Sequence, residues 1–122
     1  MQGPVIESLS AVTLVTRDME AAVGFYTALG FHAVTGGAGA AFTSFAVGGQ
    51  YLNLIDEGSG PVPKGWGRAI FYVSDVDAMH GLARDRGLTP DFAPRDAPWG
   101  ERYFHIKDPD GHEISFARPI GG

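Results

Sequence analysis

The chain has 122 residues, enough for one domain with a real core, and no apolar run approaches the roughly 20 residues a bilayer crossing needs. It has no cysteine, which excludes disulfides, thiolate metal sites and a cysteine nucleophile. A net charge of −5 without any basic stripe argues against a nucleic-acid partner.

That charge mildly favours a cationic ligand, although ordinary solubility asks for the same balance. Met1-Gln2-Gly3-Pro4 lacks the basic residues and apolar stretch of a signal peptide. With no cysteine, the expected location is the cytoplasm, with no membrane partner.

Leu9 to Val15 is short, β-branched and alternating, and reads as a strand with Val12 and Leu14 on one face. Asp18 then suits the N-cap of a helix carrying Met19, Val23, Tyr26 and Leu29 at helical spacing, closed by Gly30. Residues 36–41 are too glycine-rich for a helix. Ala41 to Val47 and Gln50 to Asp56 read as a hairpin turning at Gly48-Gly49. Glu57 to Gly67, rich in Gly and Pro, reads as a linker between halves.

The second half repeats the first. Arg68 to Val73 alternates as a strand, Asp75 suits an N-cap, and Gly87 closes a helix that runs to Arg86. The interval from aspartate to glycine is twelve residues in both copies. Pro90 to Gly100 reads as an extended loop, followed by a hairpin of Glu101 to Lys107 and His112 to Ala117 with Asp108-Pro109-Asp110-Gly111 as its turn. A half of this size cannot bury its sheet face alone, so the copies should place their sheets together, helices outside and a concave face open to a ligand. The predicted fold class is α+β, one domain, with module 1 at about 5–56, a linker at 57–67 and module 2 at about 68–118.

Alternation sorts the strands. Val12, Leu14, Leu52, Leu54, Phe71, Phe104, Ile106, Ile114 and Phe116 share the parity expected under the helices. Ala11, Thr13, Tyr51, Asn53, Arg68, Ile70, Tyr72, Glu101, Tyr103, His105, Glu113 and Ser115 fall on the open face. Phe42 and Phe45 stay open, because the pattern does not fix where their strand starts.

These residues carry a family resemblance. Asp18 with Phe25-Tyr26 and Leu29-Gly30-Phe31, then Phe71-Tyr72-Val73-Ser74-Asp75 and Asp108-Pro109-Asp110-Gly111-His112, resemble the vicinal-oxygen-chelate superfamily. Glyoxalase I, extradiol dioxygenases, and fosfomycin- and bleomycin-resistance proteins belong to it. The resemblance spans roughly residues 5 to 118 and is specific to a fold, not to a reaction. It implies two βαβββ modules side by side forming a curved mixed sheet, usually in a homodimer.

Members that are enzymes hold a divalent metal at four open-face positions, which match Ala11, Asn53, Arg68 and Ser115 here. Alanine offers no lone pair, arginine is a fixed cation, and asparagine and serine are weak neutral donors. No metal and no cofactor are therefore expected at those positions. His105 with Glu113 and Glu101 could rebuild a small cluster, or His105 could simply lean on a carboxylate of the cavity wall. His32 and His80 read as surface or boundary residues, and His112 as an exposed turn residue.

The candidate binding residues are Trp66, Arg68, Tyr72, Trp99, Tyr103, His105, Asn53 and Ser115. Both tryptophans sit in glycine-flanked loops before open-face strands, where they can stack on a planar ligand or plug a gap. Arg68 either pairs with Glu101 or Glu113 or binds a ligand oxygen. Arg102 points to the helix side, toward an acid such as Asp96. Pro98-Trp99-Gly100 with Arg102 resembles the bleomycin-resistance-like branch. That branch implies sequestration of a planar, partly cationic small molecule or antibiotic. The alternatives are a lyase, isomerase or dioxygenase, using a displaced metal or His105 or Glu113 as general base, and an accessory domain acting through protein contacts.

Overall fold

The computed structural model describes residues 3–58 and 60–121. Met1 and Gln2, read above for targeting, and Ser59 of the linker lie outside them. The first module runs β1 (Ala11–Thr16), α1 (Met19–Ala28), β2 (His32–Thr35), β3 (Phe42–Val47), β4 (Gln50–Asp56). The second runs β5 (Arg68–Tyr72), α2 (Val76–Asp85), β6 (Arg95–Asp96), β7 (Glu101–Lys107), β8 (Glu113–Pro119). Each is a βαβββ unit, and the fold is α+β.

The two sheets have the same wiring, β1-β4-β3-β2 and β5-β8-β7-β6, and each keeps its own hydrogen-bonded ladder. In each, the first strand runs parallel to the fourth, and the remaining pairs are antiparallel. The chain leaves the first strand through the helix, which crosses to the far edge of the sheet and covers one face, and then returns strand by strand.

The duplicated aspartates and glycines act as the repeat demands. Asp18 Oδ1 accepts from the Ala21 N–H and Asp75 Oδ1 from the Ala78 N–H, each at 3.0 Å. Gly30 and Gly87 close the helices at φ +96° and +80°, a region in which a side chain is strained. The covered face is apolar as predicted. Leu14, Leu52, Leu54, Phe104, Ile106, Ile114 and Phe116 are buried against Met19, Ala22, Tyr26 and Leu29 of the first module and Val76 and Ala83 of the second. Val12 and Phe71 are half-buried at its border.

One core serves both modules. Phe31 meets Phe71 edge-on at 5.1 Å, and Arg86 Nη1 donates to the Ala28 carbonyl at 3.3 Å. The closing turn of module 2 is pinned to module 1. Tyr26 O–H donates to Asp108 Oδ2 at 2.7 Å, and the Arg17 N–H to Asp110 Oδ1 at 3.0 Å.

Three sequence expectations need correction. His32–Thr35 forms an edge strand, which the pattern missed because all four residues are exposed and show no burial contrast. The 90–100 segment is not all loop, since Arg95 and Asp96 pair with Tyr103 and Arg102. His112 is buried at 4% exposure, because the linker's Trp66 covers it. The other boundaries fall within two residues of the predicted ones.

Candidate functional site

The open face of the second sheet is built in rows set by its register. Arg68, Glu113 and Lys107 form one row, Ile70, Ser115 and His105 the next, and Tyr72, Ala117 and Tyr103 the third. The middle member of the second and third rows is small. Ser115 and Ala117 therefore make the floor of a trough, with Ile70 and Tyr72 as one wall and His105 and Tyr103 as the other. Both floor residues are buried, Ser115 at 3% and Ala117 at 1% exposure, while Ile70 and Tyr72 stay exposed.

Aromatic groups extend the far wall. Trp99 lies 5.5 Å from Tyr103, ring to ring, and Tyr103 lies 5.2 Å from His105. Phe92 meets both Tyr103 and His105, and the Arg95 guanidinium sits 3.7 Å above the Phe92 ring. Trp99 Nε1 donates to Glu101 Oε1 at 2.9 Å, and Tyr72 O–H donates to Glu101 Oε2. That phenol is held above its usual pKa, chiefly because it donates to Glu101.

The two tryptophans do not face one another. Trp66 precedes Arg68, which registers with Glu113, whereas Glu101 registers with Pro119 at the other end of β8. Trp66 instead donates its Nε1–H to His112 Nδ1 at 2.9 Å. That bond makes Nδ1 the acceptor, so the ring's proton sits on Nε2 and is donated to the Val15 carbonyl at 2.8 Å. Linker, turn and first strand are joined through this one imidazole.

Arg68 takes the ion-pair alternative, with Nε 2.5 Å from Glu113 Oε2. Arg102 turns toward the helix side, as expected from its parity, and bridges Asp96 and Asp77 at 2.9 Å each. His105 Nδ1 stands 3.7 Å from Glu113 Oε1, beyond hydrogen-bond length. Burial, followed by the nearby Arg68 charge, pulls the His105 pKa below 6.5, and Glu113 opposes this. That shift favours the neutral imidazole, which is able to accept a proton. In an NMR titration His105 should titrate below about 6.5. Arg68→Met should move that value up, and an unchanged or lowered value would contradict the arrangement.

The four family metal positions do not form a donor set. Ala11 and Arg68 line one depression of about 480 Å³ between the modules, together with Tyr51 and Ile70. Neither Asn53 nor Ser115 lines it. Asn53 Nδ2 donates to Thr13 Oγ1 at 3.2 Å, and its buried Oδ1 has no partner among the described residues. One stray amide oxygen, apart from that alanine and guanidinium, does not fit a divalent ion. Among the described residues, no three His, Asp or Glu side chains converge as an alternative set. No helix of the described residues is long and apolar enough to cross a membrane.

Two groups escaped the sequence reading. Alternation puts Glu101 on the open face near Arg68 and His105, but its position between Tyr72 and Trp99 follows only from the register across β8. Phe92, in the loop before β6, carried no strand pattern at all.

The chain superposes with a TM-score of 0.78 on a glyoxalase/bleomycin resistance protein/dioxygenase from Nocardioides, at 24% identity over 98% of this chain and 88% of that one. A lactoylglutathione lyase from Agrobacterium tumefaciens gives 0.74 at 24% identity, over 92% and 93%. At this identity the likeness is one of fold. An uncharacterized protein of Mycobacterium bovis, Mb0911c, is 42% identical over 48 residues, 39% of this chain and 32% of its own length. The match thus spans about a third of that relative. Residues 8–116 match the Glyoxalase/Bleomycin resistance protein/Dioxygenase superfamily, and the chain belongs to that superfamily.

Proposed function

We propose that this protein captures a planar, partly cationic small molecule or antibiotic at the rim of the trough, as a homodimer, without a metal and without covalent chemistry. The observation that carries the reading is the aromatic rim of the trough, where exposed Tyr72 and Trp99 are joined through Glu101. Flat apolar walls gain contact area on a planar ligand, and the few polar groups at the rim set its orientation. Arg68 and Ala11 at the family's metal positions support capture over metal chemistry. The exposed Ile70, Tyr72 and Trp99 leave apolar surface uncovered on both walls, which a second copy would close.

Tryptophan fluorescence tests this. Titration with a planar aromatic ligand should quench Trp99 and saturate at one ligand per chain. A panel of planar cations and antibiotics that leaves the emission unchanged would overturn capture.

A second reading is an isomerase or lyase with His105 as general base, and the neutral, half-buried imidazole beside Glu113 favours it. Consumption of a bound ligand, lost in His105→Gln with binding retained, would select it over capture.

A further inference from the structure

We propose that Glu101 is the charge-reading residue of the trough and that its preferred occupant carries an organic cation of diffuse charge. An alkylated ring nitrogen or a quaternary ammonium would lie against Tyr72 and Glu101, with the exposed Trp99 at its edge. The proposal deepens the capture reading and rests on it.

On the strands of this sheet, β5 to β8, the carboxylates are Asp96, Glu101 and Glu113, and only Glu101 is not matched by a cation. Glu113 has Arg68, Asp96 shares Arg102 with Asp77 of α2, and Asp91 in the preceding loop has Lys107 at 2.8 Å. Among the described residues, no Lys, Arg or His lies in ion-pair reach of Glu101. Its two oxygens are instead held by neutral aromatic donors, Trp99 Nε1 at 2.9 Å and the Tyr72 hydroxyl. The carboxylate is fixed in place without being neutralised.

The rings that hold it are also suited to a cation. A phenol that donates to a carboxylate gains electron density on its ring, which strengthens attraction to positive charge at the ring face. Trp99 adds a second, exposed face beside it, while the Tyr103 ring already has the Arg95 guanidinium 5.5 Å from its centre.

There is room for a headgroup. Glu101 and Tyr72 line a hollow of about 550 Å³ whose other side is Val47, Gly48 and Gln50 at the β3–β4 hairpin of the first module. An anion in that hollow would meet an uncompensated carboxylate. A compact ammonium would lose hydration while both oxygens of Glu101 already accept hydrogen bonds. Diffuse, weakly hydrated charge avoids both penalties.

The test is isothermal titration of the full chain with N-methylacridinium and with acridine, under mildly alkaline conditions where acridine is uncharged. The cation should bind about tenfold more tightly than its neutral isostere, and added salt should narrow the gap. Glu101→Gln keeps a carbonyl for Trp99 and an amide for the Tyr72 oxygen while removing the charge. It should abolish the preference and leave acridine binding in place.

Equal affinities in the unmodified protein, or a preference that survives Glu101→Gln, would overturn the cation subsite while acridine binding still upholds capture. Binding of neither probe would overturn both. The comparison in the unmodified protein, with its salt dependence, needs no variant to fold.

Discussion

Asp108→Ala should lower the unfolding free energy by about 3 kcal/mol, the largest stability effect expected of a single polar substitution here. Asp108 is buried and accepts three hydrogen bonds: Oδ2 from the Tyr26 hydroxyl at 2.7 Å, and Oδ1 from the Asp110 and His112 N–H groups at 2.9 Å each. Alanine would strand the fully buried Tyr26 hydroxyl inside the core and release the turn that anchors module 2 on module 1. Asp108→Asn should lose much less. Its carbonyl can serve the backbone, while its amide donates to the Tyr26 oxygen.

The two variants also differ in their dependence on pH. Burial pushes the Asp108 carboxyl above 3.8, outweighing the hydrogen bonds from Tyr26 and His112 that pull it down. Burial and the adjacent carboxylate push the Tyr26 hydroxyl up, so the shared proton stays on tyrosine. For a carboxyl raised in the folded state, its stabilising contribution is full below the unfolded value and falls as pH rises through the folded one. The advantage of the natural chain over Asp108→Asn should therefore be greatest in acid and shrink upward from about pH 3.8. Urea denaturation across that range measures it, and a gap that widens with pH would contradict the assignment.

Trp99→Ala should weaken binding of a planar aromatic ligand by at least about thirtyfold, the loss expected for a stacking anchor. The indole is 66% exposed, so its removal opens no cavity and the fold should keep its stability. Trp66→Phe should behave in the opposite way. Loss of its Nε1–H leaves the buried His112 Nδ1 without a donor and should cost about 1 kcal/mol, with binding at the Trp99 end unchanged. Equal binding losses in the two variants would mean that both tryptophans hold the ligand.

The repeat was legible in the sequence because it rests on local chemistry. Asp18 and Asp75 cap because their oxygens reach an N–H three residues on, and Gly30 and Gly87 close because only glycine is unstrained there. The parity of β7 and β8 was equally local, and it placed Arg102 toward Asp96 and Arg68 near Glu113. What was illegible depends on distant partners. Nothing around His112 signals that Trp66, 46 residues earlier, will bury it. Nothing around Tyr26 signals an acceptor 82 residues away. The trough itself appears only when β5 and β7 are set on either side of Ser115 and Ala117, a juxtaposition fixed by crossover topology rather than by any single strand.

Capture without a metal is tested most directly by isothermal titration of chelator-treated protein with a planar aromatic cation, repeated after equilibration with zinc, nickel and manganese. The affinity should be the same in every preparation, with one ligand bound per chain. Binding that appears only once a metal has been restored would contradict it.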